Sequence, residues 1–265
     1  MNSRLARRHV DVLVKRLTVL IAGVLLLAGG ASARPALPAP LHAMEKQGFT
    51  IVGTFEAAGG LVAWAGFKGQ SAVAFYLTPD GQHVIVGRML DANGNDASES
   101  ALKSVVVPAM HEGLWTDLGR SRWVADGKAA APRVVYVFTD PDCPYCNRFW
   151  TAARPWVDSG KVQLRHVIVG ILTPRSPGLA AALLAAQSPS AALAAHERTY
   201  LQGETHPLKR IPHDIEAQLD ANAGLMETWG MQGTPAIIWR DARGGVRIRT
   251  GMPDAAGLNA IFGAR

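Results

Sequence analysis

Hydrophobic and polar positions along the chain fall into two different patterns, and the first covers residues 49–88. There, short runs rich in Val, Phe and Tyr are separated by Gly, Pro and Asp, which is typical of strands joined by tight turns. The predicted strands are Phe49–Phe55, Leu61–Phe67, Ser71–Thr78 and His83–Arg88. With a short helix over Leu41–Gly48 they form a small antiparallel α+β unit. Such a unit buries little surface and often gains stability by pairing with a copy of itself.

The second pattern, from residue 131 onward, alternates in the α/β manner. Val134–Phe138 is a continuous β-branched and aromatic run, as expected for a strand buried on both faces. The elements predicted after it are helix Cys143–Val157, strand Val162–Ile171, helices Leu179–Gln187, Ala191–Leu201 and Ile215–Trp229, strands Ala236–Trp239 and Val246–Thr250, and helix Asp254–Phe262. This order predicts an α/β thioredoxin-like domain with an inserted helical subdomain.

Shifts in composition divide the chain into four parts. Residues 34–95 form the N-terminal domain, and residues 131–265 form the thioredoxin-like domain. Between them, residues 96–130 are mixed and only weakly helical, which favours a partly helical linker. Residues 1–33 have the composition of a targeting segment.

That targeting segment has the three parts of a secretory signal peptide. Its basic residues are Arg4, Arg7, Arg8, Lys15 and Arg16, against the single acid Asp11. The apolar run Leu17–Gly30 has 14 residues, short of the roughly 20 that a membrane-spanning helix needs. Ala31-Ser32-Ala33 then resembles a cleavage site. Export to an oxidising, periplasm-type compartment is the prediction, with an uncleaved N-terminal anchor as the alternative.

The basic charge of the chain comes mostly from this segment. The whole chain carries a formal net charge of +6, and removal of residues 1–33 leaves +2. The exported protein is therefore close to neutral, and its charge gives no reason to expect a nucleic-acid partner.

The two cysteines of the chain, Cys143 and Cys146, are separated only by Pro144 and Tyr145. An inert crosslink is a poor explanation, because a disulfide enclosing so short a loop stabilises a fold little. Structural zinc requires four ligands, and no further cysteine or suitably spaced histidine is present. The pair therefore indicates a redox-active centre between a buried strand and a helix.

Placement on the helix assigns a role to each cysteine. Cys143 at the helix N-terminus faces unpaired N–H groups and the positive end of the dipole, so we expect a lowered pKa and a nucleophilic thiolate. Cys146, one turn into the helix, is the resolving thiol and is expected to be less exposed. Pro144 suits the first helical position. Asp140 and Asp142 oppose thiolate formation by their charge; they either tune the cysteine pair or cap the helix, and capping is the expectation.

Thr234-Pro235 is the second candidate site, directly before the strand Ala236–Trp239. Proline is accepted at the start of a strand, and a cis peptide there exposes the preceding backbone to an extended substrate. The remaining histidines singled out are His166, His196, His206 and His213. They fall in different elements and are interpreted as surface or structural residues.

Several segments resemble DsbG-type members of the DsbC/DsbG family of thioredoxin-fold thiol:disulfide interchange proteins. They are ALPAP (36–40), MEKQGFTIVGTFEA (44–57), YLTPDG (76–81), FTDPDCPYCNRFW (138–150), RPWVDSGKVQLRHVIVGI (154–171), TPAII (234–238) and GMPD (251–254). The resemblance implies Cys143 and Cys146 as the redox pair and Thr234-Pro235 as a cis-proline loop. The threonine before that proline favours the DsbG type.

The same resemblance implies a periplasmic homodimer joined by its N-terminal domains. Its activities are disulfide isomerisation, reduction of disulfides and of sulfenic acids on client proteins, and chaperone-like binding. A membrane reductase of the DsbD type supplies electrons, and no cofactor is needed beyond the redox-active disulfide. Two alternatives stay open: a DsbA-like dithiol oxidase and a periplasmic chaperone that works without redox chemistry.

Overall fold

The computed structural model describes residues 37–264, which form two β-sheets and seven α-helices within that range. The predicted signal peptide, residues 1–33, lies outside the described residues. Of the helices between 37 and 264, none is long and apolar enough to cross a membrane. One sheet has four strands, and the other has five.

The smaller sheet is antiparallel throughout and follows helix α1 (Ala39–Lys46). Its strands are β1 (Thr50–Glu56), β2 (Val62–Lys68), β3 (Ser71–Leu77) and β4 (Val84–Val86), in that spatial order. A two-residue turn joins β2 to β3, and Gly69 there has a positive φ of 58°, which glycine adopts without a steric penalty. All four predicted strands are confirmed to within a few residues.

Helix α2 (Glu99–Arg120) occupies most of the predicted linker. A three-residue strand, β5 (Val124–Asp126), follows it and pairs antiparallel with β7 of the larger sheet. The hydrophobic pattern gave no sign of β5, because a strand of three residues is too short to show alternation.

The larger sheet has the order β5-β7-β6-β8-β9. Its long strands are β6 (Arg133–Thr139), β7 (Val162–Ile168), β8 (Ala236–Arg240) and β9 (Val246–Thr250). Parallel β6 and β7 are joined through α3 (Pro144–Asp158), whereas β8 and β9 run antiparallel to their neighbours. Helix α7 (Ala255–Phe262) closes the chain. The thioredoxin-like order predicted from the sequence is confirmed.

Three helices lie between β7 and β8 and form the inserted subdomain. They are α4 (Ser176–Leu184), α5 (Pro189–Arg198) and α6 (His213–Thr228). β7 ends at Ile168, three residues earlier than predicted, and the chain beyond it turns back toward the start of α3. The side chain of Asp140 holds this turn, as described below.

One hydrophobic cluster connects the two sheets. It contains Ala65 and Phe67 from β2, four residues of α2, and residues from β6, β7, β8 and α6. Phe67 packs against Trp229 with ring centroids 6.3 Å apart, and Gln70 donates to the carbonyl oxygen of Trp229. The segment just before Thr234-Pro235 is thus packed against the smaller sheet.

Candidate active site

Buried strand β6 delivers the chain to the dithiol. Cys143 has extended backbone angles and is the N-cap residue of α3, and Pro144 is the first helical residue. The cap is the sulfur itself, because Sγ of Cys143 accepts a hydrogen bond from the N–H of Cys146 at 3.3 Å. The expectation that Asp140 or Asp142 caps the helix is therefore wrong.

The surroundings of Cys143 lower its pKa to about 6. The largest cause is a hydrogen bond from the thiol of Cys146, and the side chain of Thr234 and the N–H groups of Cys146 and Tyr145 add to it against the opposing effect of burial. Each donor stabilises the thiolate more than the thiol. Near neutral pH, Cys143 is therefore mostly a thiolate.

Cys146 has the opposite environment. Burial raises its pKa well above the ordinary value, and its thiol donates to Cys143. Both cysteines are buried, Cys143 at 1% exposure and Cys146 at 3%. The expectation that Cys146 is the less exposed of the two is not met, so the thiols differ in pKa rather than in exposure.

Thr234-Pro235 reaches the dithiol because β8 pairs antiparallel with β6, which carries Cys143 at its exit. Phe138 of β6 faces Ala236 of β8, directly after the proline. The Thr234-Pro235 peptide is cis. The carbonyl oxygen of Thr234 lies 3.4 Å from Sγ of Cys143. Two motifs about 90 residues apart in sequence thus form one site.

Asp140, fully buried, is a positioning residue of this site. Its carboxylate accepts hydrogen bonds from the N–H groups of Asp142, Ile171 and Leu172 and from the hydroxyl of Ser176, at 2.7–3.0 Å. A carboxylate that accepts this many bonds fixes the backbone around it. Asp140 therefore ties the dithiol loop to the turn after β7, a role that the sequence did not reveal.

The inserted subdomain contacts the dithiol loop through the end of α5. His196 and Glu197 are buried there. Burial lowers the pKa of His196 and raises the pKa of Glu197, so each tends toward its neutral form. His166 is also buried, whereas His206 and His213 are exposed. Within residues 37–264, no group of three or more His, Cys, Asp or Glu side chains is placed to hold a metal ion.

A partly buried ion pair lies between β5 and α3. The guanidinium of Arg154 binds both carboxylate oxygens of Asp126 and stacks 3.9 Å from the ring centroid of Trp150. Burial opposes the charge of Asp126, but hydrogen bonds and charge interactions with His166 and Arg154 outweigh it and hold the pKa of Asp126 far below its usual range. The pair joins β5 to α3.

Comparison with known proteins gives the family of the chain. A family model described as a thioredoxin-like domain matches residues 124–264. The thiol:disulfide interchange protein DsbG of Pseudomonas aeruginosa is 44% identical over 254 residues, covering 96% of this chain and 99% of that protein. DsbG of Escherichia coli K12 is 42% identical over 235 residues, covering 86% of this chain and 92% of that protein.

The chain belongs to the DsbG family of thiol:disulfide interchange proteins. The resemblance stated from the sequence motifs is confirmed, and so are the thioredoxin-like domain and the interchange activity as that of the family. Among solved structures, the catalytic domain of Proteus mirabilis ScsC is similar at 25% identity and a TM-score of 0.46, covering 57% of this chain and 91% of that chain.

Proposed function

We propose that this DsbG-family chain is a periplasmic reductase and isomerase of client proteins, with Cys143 as nucleophile and Cys146 as resolving thiol. The observation that carries the proposal is the geometry of the pair: Cys143 is the N-cap residue of α3, and its Sγ accepts a hydrogen bond from the N–H of Cys146 at 3.3 Å. The lowered pKa of Cys143, about 6, and the raised pKa of Cys146 support it. One thiol is ready to attack, and the other stays protonated until it is needed.

The reaction proceeds through a mixed disulfide. The Cys143 thiolate attacks one sulfur of a client disulfide, an S–S bond forms to the client, and the other client sulfur leaves as a thiolate. Cys146 then loses its proton and attacks Sγ of Cys143. The reduced client leaves, and a Cys143–Cys146 disulfide remains. When another client thiolate attacks the mixed disulfide first, the client is isomerised and Cys143 is regenerated.

A sulfenic acid on a client cysteine is reduced by the same two thiols. The Cys143 thiolate attacks the client sulfur, the S–O bond breaks, and the oxygen leaves as water after protonation. Cys146 resolves the mixed disulfide as before. Thr234-Pro235, beside Sγ of Cys143, is the proposed contact for the client backbone.

Repeated reduction requires an electron donor, for which we propose a membrane reductase of the DsbD type. A homodimer joined through residues 34–95 is supported by strand β4, which is an edge of the smaller sheet. Ile85 and Val86 on β4 and Leu90 after it are exposed apolar residues. An unpaired apolar edge of this kind favours pairing with another chain.

Chaperone-like binding is the second candidate function. Large apolar residues are exposed around the dithiol: Tyr145, Ile171, Leu172 and Leu201. These residues offer an unfolded client apolar contacts that need no redox step. Replacement of both Cys143 and Cys146 by Ser separates the two activities, since binding is expected to survive and thiol exchange to be lost.

Thiol trapping of the exported protein in living cells tests the direction of the reaction. A mostly reduced pair supports a reductase or isomerase. A mostly oxidised pair contradicts that direction and supports a DsbA-like oxidase instead, with the same fold and the same two cysteines.

A further inference from the structure

The end of α5 and the 3-10 turn after it, Tyr200–Gln202, contact the dithiol loop on the side that precedes Cys143. Nε2 of His196 lies 2.8 Å from the carbonyl oxygen of Pro141. The hydroxyl of Tyr200 donates to the carbonyl oxygen of Asp142 at 3.2 Å. Both carbonyls immediately precede the N-cap cysteine, so two donors from the inserted subdomain hold the entry of the loop.

A third contact holds the exit of the loop. The side-chain amide of Asn147, the residue after Cys146, donates to the backbone carbonyl of Glu197 at 2.7 Å and to its carboxylate at 2.8 Å. The loop that contains the dithiol is therefore bound on both sides by the end of α5 and the turn after it.

The hydrogen-bond partners of the His196 ring determine which of its two nitrogens carries the hydrogen. A carbonyl oxygen only accepts, so Nε2 of His196 must carry the hydrogen that is donated to Pro141. Nδ1 lies 3.0 Å from the hydroxyl of Thr205. In the neutral ring favoured by burial, Nδ1 accepts from that hydroxyl, which orients the ring toward Pro141.

These contacts bear on the Cys143 thiolate through the backbone. The carbonyl oxygen is the negative end of a peptide dipole, and those of Pro141 and Asp142 lie within two residues of the sulfur. Donors on these oxygens offset their negative charge and fix the first turn of α3, in which the N–H of Cys146 points at Sγ of Cys143.

We propose that His196 is a positioning residue for the Cys143 thiolate, and that the inserted subdomain sets the reactivity of the dithiol by holding its loop. The proposal rests on the proposed role of Cys143 as the nucleophile. It gives α5 a part in the chemistry, although no residue of α5 touches the reacting sulfur through any bond described above.

Two substitutions of His196 separate the effect of losing its hydrogen-bond donor from the effect of losing the imidazole ring. His196→Gln places an amide N–H near the position of Nε2 and keeps the bond to Pro141. His196→Asn reaches only as far as Nδ1 and loses that bond. The measurement is the absorbance of the Cys143 thiolate as a function of pH in the reduced full-length protein.

We expect the titration midpoint of His196→Asn to rise by about half a pH unit or more, as loss of one hydrogen bond implies. His196→Gln is expected to stay near the wild-type midpoint. The pair His213→Asn and His213→Gln is the control, since His213 is an exposed histidine of the same subdomain. Neither control is expected to move the midpoint.

Equal midpoints in His196→Asn and His196→Gln overturn the proposal, whether both are shifted or neither is. If the His196 variants do not fold, Tyr200→Phe replaces them, because it removes only the hydroxyl from a half-buried ring. An unshifted midpoint in Tyr200→Phe then counts against the proposal. The nucleophile is tested separately by Cys143→Ser, so its failure is distinct from a failure of the His196 variants.

Discussion

Oδ2 of Asp140 accepts a hydrogen bond from the backbone N–H of Ile171 at 2.7 Å, which ties the loop before the dithiol to the turn after β7. This carboxylate is fully buried, and it is the acceptor in its hydrogen bonds with Asp142, Leu172 and Ser176 as well. Asp140→Asn keeps the size of the side chain but turns an NH2 group toward N–H donors. Buried donors that lose their acceptor cost free energy.

We expect Asp140→Asn to lower the free energy of unfolding by about 1–3 kcal/mol, measured by urea denaturation. Asp158→Asn is the matched control, since the Asp158 side chain is 69% exposed and lies 3.6 Å from the guanidinium of Arg154. Its effect is expected to stay within about 0.5 kcal/mol. Equal losses in the two variants would contradict the positioning role of Asp140.

The reactivity of Cys143 is expected to follow its thiolate. Because its pKa is lowered to about 6, the rate of alkylation by iodoacetamide should rise as the pH increases through 6 and level off above 7. Cys146→Ala removes the thiol that is the largest cause of that shift, so the midpoint should move upward. A midpoint that stays in place in Cys146→Ala shows that the backbone N–H groups alone hold the thiolate.

Cys146→Ser is expected to trap the intermediate. Without a resolving thiol, the mixed disulfide between Cys143 and a client persists and appears as a higher-mass band on non-reducing gels. Cys143→Ser should lose thiol exchange entirely and trap nothing. Full turnover by Cys146→Ser would exclude the resolving role, because the client would then be released by another route.

The ion pair between Arg154 and Asp126 is expected to contribute to the stability of the fold. Arg154→Met leaves the Asp126 carboxylate, which is mostly buried, without its cation, and loss of one partner from a buried pair costs about 3–5 kcal/mol. Lys103→Met is the control, because it breaks the pair with Glu99, in which the two side chains are 71% and 61% exposed and little loss of stability is expected. Urea denaturation of both variants measures the difference.

The free energy of unfolding at low pH depends on the same ion pair. The folded-state pKa of Asp126 is depressed, so its contribution is present above the unfolded value, near 3.8, and is lost as the pH falls below it. Arg154→Met removes the part of this dependence that comes from Arg154, whereas the interaction of Asp126 with His166 remains. The variant should therefore differ from the wild type less at pH 2 than at pH 6.

The sequence predicted the parts of the site that local pattern determines. A buried strand, a Cys-Pro-Tyr-Cys segment and a helix after it are adjacent in the chain, so their geometry follows from helix and strand physics. Thr234-Pro235 was predicted from its order before a strand. The bond of Asp140 to Ile171 and that of His196 to Pro141 were not predictable, because they join residues more than 30 positions apart.

The wrong prediction of the helix cap and the missed strand β5 have a common cause. Asp140 and Asp142 stand where a helix cap is expected, but the sulfur of Cys143 takes that place and leaves Asp140 free to accept from Ile171. Three residues of β5 carry too little periodicity to be seen as a strand. In both cases a tertiary contact decides between local structures that the sequence alone leaves nearly equal.

The hydrophobic cluster shared by β2, α2 and β6 means that the two domains distinguished in the sequence share one hydrophobic core. Fragments cut between residues 95 and 131 would each expose an apolar face that the other now covers. A catalytic half expressed alone should therefore be prone to aggregation, and the intact chain should melt in a single transition. The smaller sheet would then unfold together with the catalytic core rather than as an independent domain.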